Sequence, residues 1–281
     1  MVRKIGFIDL FIDEWHSNHY PAWFAQAPRG KEFQVAYAWE KHPLPGKRPL
    51  SQWCADMGIA AASSIEEVVD QCDCICVLAP ANPEVHAELA EYALTSGKPV
   101  YIDKPFAPSS QVARALFSRA EVHHTPLMSS SALRFGQELI SGKLQTAKPG
   151  ILTSTGGGRS YQEYGIHQLE MIVSIMGTEI ENMIVSGNLQ NVSVILEYSG
   201  GRRAVLAYSK PYPFSLTASN GQEAFIYPAI QNHFENLASA ILDFFATGTS
   251  CIPKAETLAI AEILERSVAI LNSNRNSNPE I

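Results

Sequence analysis

Two residues of this sequence stand in settings that favour proton transfer, and the first is Lys104. It follows the apolar segment 100–102, which has the pattern of a short strand, and it precedes Pro105. Proline removes a backbone donor and biases the preceding residue toward an extended conformation. A lysine held at the end of a strand in this way can exchange a proton with a bound molecule. The tripeptide alone is equally compatible with a lysine in a surface turn.

The second residue is His167, which lies in a segment, 164–176, whose apolar spacing predicts a helix. Glu163 and Glu170 lie four residues before it and three residues after it, so each shares a helical face with the histidine. An imidazole beside carboxylates is oriented by them and gains proton affinity. A surface histidine on an amphipathic helix has the same pattern, and that alternative stays open.

The elements that must position these residues follow two patterns along the chain. In residues 1–126, strand-like and helical segments alternate, which predicts βαβ units and a parallel, Rossmann-like sheet. Ligands of such sheets bind at the carboxyl ends of the strands, where Asp9, Pro80 and Asp103 are expected. In residues 127–281, strand segments cluster, which predicts an α+β domain with a mostly antiparallel open sheet.

Individual elements are predicted from periodicity and breaker residues. A helix is expected from Pro83 to Thr95, and the polar tail from Asn272 to Ile281 is expected to fray. The strands expected in the second part of the chain are 151–155, 180–187, 192–198, 203–209 and 223–227.

Composition and charge exclude several classes of protein. A chain of 281 residues that is 46% hydrophobic can bury a real core, which excludes a disordered protein. The net charge of -7 argues against nucleic acid as a partner. No stretch reaches the ~18 apolar residues of a membrane span, and no leader pattern precedes the first strand, so a cytoplasmic protein is expected. Cys72, Cys74 and Cys76 alternate, which predicts a buried strand rather than a metal site.

Several segments together resemble the glucose–fructose oxidoreductase/inositol dehydrogenase family, also called Gfo/Idh/MocA. Asp103-Lys104-Pro105 resembles the Glu-Lys-Pro motif of that family, and the stretch 73–100 resembles its fourth strand, the following helix and its fifth strand. The segment 164–177 resembles the family's Asp-x-Gly-x-His-x-x-Asp helix, which ends in Met-Gly.

This resemblance implies hydride transfer between NAD or NADP and a sugar, cyclitol or related polyol. It implies that Lys104 and His167 form the catalytic proton-transfer pair, and that the protein is a homodimer or homotetramer. The residues expected to bind the substrate are Glu163, Glu170, Arg159, Tyr164 and His86. The residues expected to bind the cofactor are Asp9, Phe11, Ile12, Glu40, Pro80, Asn82, Asp103 and Lys104.

The turn after the first strand departs from the family pattern. A dinucleotide site uses G-x-G-x-x-G, whose glycines permit a tight turn and let the backbone approach the pyrophosphate. Asp9, Phe11 and Glu14 stand at the three glycine positions. The carboxylates of Asp9, Asp13 and Glu14 bring negative charge to a helix N-terminus that should attract an anion. If a cofactor binds, this loop must differ from the usual one or its carboxylates must point away.

Other interpretations therefore stay open beside the oxidoreductase. The acidic and histidine residues of the stretch 9–19, which include His16, are of types that bind Zn or Mn, although their spacing matches no standard metal motif. Polar contacts from these residues to a sugar-like ligand are the other interpretation. A lyase or hydrolase acting on an oxidised sugar would use Lys104 and His167 without the usual cofactor. A non-catalytic protein that binds a sugar is the third alternative.

Overall fold

The fold is described by a computed structural model that covers residues 2–277 of the chain. Its strands are β1 (Arg3–Asp9), β2 (Phe33–Glu40), β3 (Ala60–Ala61), β4 (Cys74–Val77), β5 (Val100–Ile102), β6 (Leu127–Met128), β7 (Ile151–Gly156), β8 (Ile180–Asn188), β9 (Asn191–Tyr198), β10 (Arg203–Ser209), β11 (Ser215–Ser219) and β12 (Ala224–Tyr227). Its α-helices are α1 (Trp15–Gln26), α2 (Leu50–Met57), α3 (Ile65–Gln71), α4 (Pro83–Leu89), α5 (Ser110–Val122), α6 (Gln137–Ile140), α7 (Lys143–Ala147), α8 (Tyr161–Met176), α9 (His233–Thr247) and α10 (Lys254–Ser277).

The chain divides into two compact units. The first contains residues 2–130 and 235–253, and the second contains residues 131–234 and 254–277. The sequence placed the boundary at residue 126 and assigned everything after it to the second domain. The grouping of α9 with the first unit follows from packing within that unit, where the Phe33 and Phe245 rings lie 6.4 Å apart.

The first unit contains a parallel sheet with the strand order β3-β2-β1-β4-β5-β6. This is the Rossmann order, and it confirms the predicted fold class. The strand order reverses between β1 and β4, and the carboxyl ends of those two strands flank the position where such sheets bind ligands. Asp9 ends β1, and Asp103 follows β5 directly.

Strand β4 shows why apolar runs predict strands in such a sheet. Every residue from Cys74 to Val77 is buried, since helices or loops cover both faces of a parallel sheet. Burial raises the pKa of Cys72 and of Cys74 to about 12, so both remain thiols at neutral pH. The alternating cysteines are therefore part of the core, as their spacing predicts.

The predicted helix from Pro83 to Thr95 is wrong in its second half. Helix α4 ends at Leu89, and a separate 3-10 turn covers Ala93–Thr95. Leu89 and Ala93 are both fully buried, so the apolar spacing continues across the break. Periodicity therefore does not reveal where the helical hydrogen bonds stop.

The second unit contains a mixed sheet with the strand order β12-β11-β7-β10-β9-β8. Its neighbouring strands are antiparallel except for β7 and β10, which run parallel, and this confirms a mostly antiparallel sheet. Strand β11 is not predicted from the sequence, because Ser215–Ser219 contains no apolar run. Its pairing with β7 and β12 makes it a strand.

Helices α8 and α10 belong to the core of the second unit. Leu169 and Ile172 of α8 are fully buried with sheet residues such as Val194 and Leu206. The tail was expected to fray from Asn272, and this is wrong for residues 272–277, because α10 extends to Ser277. Residues 278–281 lie outside the described residues. Among residues 2–277, no helix combines the length and the apolar character needed to cross a membrane.

Candidate active site

The turn between β1 and α1 is organised by Glu14, the N-cap residue that directly precedes α1. Its carboxylate accepts hydrogen bonds from the backbone N–H groups of His16, at 2.8 Å, and Ser17, at 2.5 Å. The Ser17 hydroxyl lies 3.4 Å from the Glu14 N–H, which completes a capping box. The side chain at the third glycine position therefore covers the N-terminus of the helix.

Glu40, at the end of β2, was expected to receive a ribose hydroxyl. One of its carboxylate oxygens accepts the Ile12 N–H at 3.0 Å, and the other accepts the Leu50 N–H at 2.7 Å. The residue is only 8% exposed. Glu40 therefore ties the turn after β1 to the loop after β2, and this anchoring role is what the geometry supports.

Asp13 is held by a basic partner that the sequence analysis did not pair with it. The Arg48 guanidinium donates to both Asp13 oxygens, at 2.8 and 3.1 Å, and the Asn18 amide donates to one of them at 2.9 Å. The bonds from Arg48 are the main reason that the pKa of Asp13 lies well below its usual range. This carboxylate is charged and bound within the loop.

Asp9, at the first glycine position, is fully buried. Its Oδ1 accepts the N–H groups of Ala79, at 3.0 Å, and Phe11, at 3.3 Å. Its Oδ2 has no hydrogen-bond partner among residues 2–277. Burial, and after it the nearby Glu14 carboxylate, raises the pKa of Asp9 well above its usual range.

Lys104 follows β5 at the ligand edge, as predicted. The neighbouring Asp103 is 1% exposed, and its Oδ1 accepts the Lys104 backbone N–H at 2.7 Å. Its Oδ2 lies 3.6 Å from Nδ1 of His16, which is also 3.3 Å from the Glu14 carboxylate. From the sequence, His16 is a candidate metal ligand or polar contact to a sugar-like ligand, and nothing in the local pattern shows that α1 lies beside the end of β5.

His86 has a different role from the substrate contact that was expected. It is fully buried, and its Nδ1 lies 3.1 Å from the Phe106 carbonyl. Its Nε2 lies 3.0 Å from the carbonyl of Leu78 and 3.2 Å from that of Ala79. Burial lowers the pKa of His86, so the ring is neutral at neutral pH. With no exposed surface, His86 links the ends of β4 and β5 instead of contacting a substrate.

The segment after β4 has an unusual backbone. Ala79 and Ala81 on either side of Pro80 adopt positive φ angles of 41° and 64°. Such conformations are disfavoured for residues with a Cβ and cluster at functional sites. Asn82 then precedes α4 without capping it, and its amide donates to Glu84 at 3.1 Å.

In the second unit, helix α8 presents His167 to Ser131. The Ser131 hydroxyl oxygen lies 2.6 Å from Nδ1 of His167 and also accepts the Leu133 N–H at 3.2 Å. The His167 ring is flanked edge to face by the Tyr164 ring, at 5.4 Å, and by the Phe214 ring, at 5.3 Å. The hydrogen bond with Ser131 and these two aromatic contacts therefore help to fix the orientation of the imidazole. Ser131 is absent from both sequence motifs and was missed.

Glu170 is a buried support rather than an open substrate ligand. It is 3% exposed, and its oxygens accept bonds from the Ser131 N–H, at 3.2 Å, and from the Arg134 guanidinium. Arg134 is itself buried and also binds Glu256. Glu170 thus holds the backbone of the residue that contacts His167. The expectation that it binds substrate conflicts with this placement.

Arg159 and Glu163 lie at the start of α8 and on the connection that leads to it. They form an ion pair of 2.9 Å in which the arginine side chain is 70% exposed. The preceding Gly158 has a φ of 145°, and a Cβ there would lie 2.2 Å from the Tyr164 ring. The Arg159 guanidinium is therefore exposed beside Glu163, and the Tyr164 ring packs against His167.

The acidic and histidine residues after β1 do not assemble as metal ligands. Asp13 is paired with Arg48, and Glu14 caps α1. Within residues 2–277, no group of three or more His, Cys, Asp or Glu side chains is arranged to hold a metal ion.

Comparison with known proteins shows which family the nucleotide-binding-type domain resembles. Residues 12–131 match the model of the GFO_IDH_MocA family, described as an oxidoreductase family with an NAD-binding Rossmann fold. Over these residues the nucleotide-binding-type domain is similar to the Gfo/Idh/MocA family. This match confirms the family that the sequence motifs predict.

Individual proteins and solved structures resemble the chain at low identity. An uncharacterized oxidoreductase of Streptococcus pneumoniae is 26% identical over 195 residues, which are 56% of this chain and 52% of that protein. The chain thus spans about half the length of this curated relative. UDP-N-acetylglucosamine 3-dehydrogenase GnnA from Acidithiobacillus ferrooxidans has a TM-score of 0.79 at 14% identity, covering 97% of this chain and 99% of its own. Apo scyllo-inositol dehydrogenase from Lactobacillus casei has the same TM-score and identity, with 97% of each chain covered.

The family is NAD-binding, yet the residues of this chain at the phosphate position do not fit a pyrophosphate. In a Rossmann fold the pyrophosphate lies at the N-terminus of the first helix and is bound by N–H groups. Here the N–H groups of His16 and Ser17 are bound by Glu14, and that of Ile12 is bound by Glu40. A second anion would have to displace a carboxylate that is already there.

Proposed function

We propose that this protein is an oxidoreductase that acts on a sugar, cyclitol or related polyol, with NAD or NADP as the hydride carrier. The observation that carries the proposal is the location of Lys104, directly after β5 at the ligand edge of a Rossmann sheet. Its backbone is held by the buried Asp103 carboxylate. A primary amine at that edge is suited to exchange a proton with the hydroxyl or carbonyl of a substrate.

His167 is proposed as the second proton-transfer residue. Its ring is fixed by Ser131, Tyr164 and Phe214, and an oriented imidazole is the commonest general acid or base. When bound, the nicotinamide would supply hydride transfer at the carbinol carbon. Arg159, Glu163 and Tyr164 are proposed as substrate contacts of the second unit.

The names of the structural neighbours support the substrate class. One is a dehydrogenase of a nucleotide sugar, and another is a dehydrogenase of a cyclitol. Both compounds carry ring hydroxyl groups whose carbons can lose or gain a hydride. The proposal includes a cytoplasmic homodimer or homotetramer, as the family resemblance implies.

Enzyme assays with a matched lysine variant test this function. The wild type is incubated with NAD or NADP and a panel of cyclitols, sugars and nucleotide sugars, and reduced cofactor is followed by absorbance. Lys104→Met should lower kcat by about a hundredfold or more, the range of general acid–base catalysis. Lys31→Met, at an exposed lysine of the same unit, should leave the rate unchanged. A wild type without redox turnover, or a Lys104→Met variant with full activity, contradicts the proposal.

The occupied N-terminus of α1 favours a second candidate, an enzyme that uses the same residues on an oxidised sugar without a dinucleotide. Lys104 and His167 would then catalyse proton transfers of an elimination or a hydrolysis. Turnover of uronic acids or keto sugars by enzyme freed of nucleotide, measured by product analysis, distinguishes this candidate. Strict dependence of all turnover on added NAD or NADP eliminates it.

A further inference from the structure

We propose that Glu14 is an internal substitute for the dinucleotide phosphate, and that a dinucleotide binds at α1 only when this carboxylate leaves the helix N-terminus. The inference deepens the proposed function, because it names the residue that controls cofactor affinity. It rests on the hydrogen bonds of the turn between β1 and α1.

The first observation is the location of α1. It follows β1, and β1 lies beside β4 at the point where the strand order reverses. In this fold the helix after β1 provides the N–H groups and the positive end of the dipole that bind pyrophosphate. The twelve residues of α1 make a full helical dipole at this position.

The second observation is that carboxylates of the chain occupy the donors of this turn. Glu14 accepts from His16 and Ser17, Glu40 accepts from Ile12, and Asp9 accepts from Phe11. In a glycine-rich turn, groups of this kind are open to the phosphates of the cofactor. Here four N–H groups of the turn are bound by carboxylates of the chain itself.

The third observation is the charge of the surroundings. Asp9 Oδ2 is fully buried and has no hydrogen-bond partner among the described residues, and the nearby Glu14 carboxylate disfavours its ionisation. The Asp103 carboxylate lies beside His16. A doubly charged pyrophosphate placed there with Glu14 still bound would meet like charges in a partly desolvated site, so displacement of Glu14 has to accompany binding.

Two substitutions separate the charge of Glu14 from its volume. Glu14→Gln keeps the length of the side chain and removes the charge. Glu14→Ser removes both and retains a good N-cap residue, so that α1 remains capped. Glu66→Gln is the matched control, because Glu66 is an exposed glutamate in the first turn of α3 in the same unit.

The experiment is isothermal titration of the full chain with ADP-ribose and with NADH. ADP-ribose contains the pyrophosphate and both riboses but cannot carry a hydride, so its binding is read independently of activity. Glu14→Ser should bind both compounds at least about tenfold more tightly than the wild type, with Glu14→Gln in between. Glu66→Gln should match the wild type. Circular dichroism melting verifies that each variant is folded.

Several outcomes overturn the inference. It is wrong if the wild type binds ADP-ribose as tightly as both Glu14 variants, or if no variant binds it at millimolar concentration. It is also wrong if Glu66→Gln gives the same gain, because the effect would then be one of net charge.

The proposed function can fail separately. Tight binding by Glu14→Ser without redox turnover by any form supports the inference and contradicts the oxidoreductase. Redox turnover by the wild type together with unchanged affinity in the Glu14 variants supports the oxidoreductase and contradicts the inference about Glu14.

Discussion

The Ser131 hydroxyl oxygen lies 2.6 Å from Nδ1 of His167, within the second unit. The same oxygen accepts the Leu133 N–H, and the Ser131 backbone N–H binds the buried Glu170 carboxylate. Ser131 is therefore held on both sides, and its contact with the imidazole has a defined direction. Because one ring nitrogen is engaged by a fixed hydroxyl, the orientation of the other nitrogen is fixed as well.

Replacing Ser131 by alanine should impair catalysis without unfolding the protein. We expect kcat to fall about tenfold with little change in KM, because the imidazole loses a positioning contact but keeps its chemistry. The ¹⁵N chemical shifts of the His167 ring should change at the same time, which a purely structural defect elsewhere would not produce. Ser131→Thr should restore much of the rate. Ser174→Ala, which removes a hydroxyl that donates to the Met171 carbonyl in the same helix, is the control.

Asp9→Asn should stabilise the protein at neutral and alkaline pH. The pKa of Asp9 is raised above the unfolded value of 3.8, so its contribution to stability is present at low pH and is lost as the pH rises through the folded pKa. Asparagine keeps the acceptor for the Phe11 and Ala79 N–H groups and avoids the buried charge. Urea unfolding across the pH range should show an advantage of about 1 kcal/mol that disappears near pH 4.

The control for Asp9 is Asp70→Asn, at an exposed carboxyl of the same unit, which should show no such pH-dependent gain. Equal stability of wild type and Asp9→Asn at every pH would contradict the conclusion that burial of the Asp9 carboxyl costs stability at neutral pH.

Asp13→Asn should destabilise the protein at neutral pH, which is the opposite of the effect expected for Asp9→Asn. Because Arg48 lowers the pKa of Asp13, its stabilising contribution is present above the unfolded value and is lost as the pH falls through the folded pKa. The variant should lose about 1 kcal/mol at neutral pH, a modest value since Arg48 is partly exposed to solvent. Asp56→Asn removes the more exposed carboxylate on the same guanidinium and should cost less. Chemical denaturation at pH 7 measures both, and equal losses would contradict the special role of Asp13.

Gly158→Ala should disturb the environment of His167. An added Cβ would lie 2.2 Å from the Tyr164 ring, at a φ of 145° that residues with a side chain rarely adopt. We expect a loss of about 2 kcal/mol in unfolding free energy, and a reduced rate because Tyr164 flanks the imidazole. Gly177→Ala is matched, because its φ is also positive, at 87°, but nothing lies within 4 Å of the added atom. Identical melting temperatures for the two variants would show that the contact with Tyr164 does not matter.

The sequence by itself determined the architecture of both units and the two motifs. Alternating strand and helix patterns are local, so the parallel order of the first sheet and the position of Lys104 after β5 followed from short segments. The helical spacing of Glu163, His167 and Glu170 is likewise a property of one segment. The break after α4 and the strand β11 were not predicted, because hydrogen bonding and strand pairing decide them and apolar spacing does not.

Only the tertiary structure decided what the polar residues do. Glu40 binds Ile12, Arg48 binds Asp13, and Ser131 binds His167, although each pair is 28 or more residues apart. His86 and Glu170 match family motifs, yet burial turns both into supports rather than substrate ligands. The physical reason is that a carboxylate or imidazole takes its role from its partners and its solvation, and long-range packing sets both.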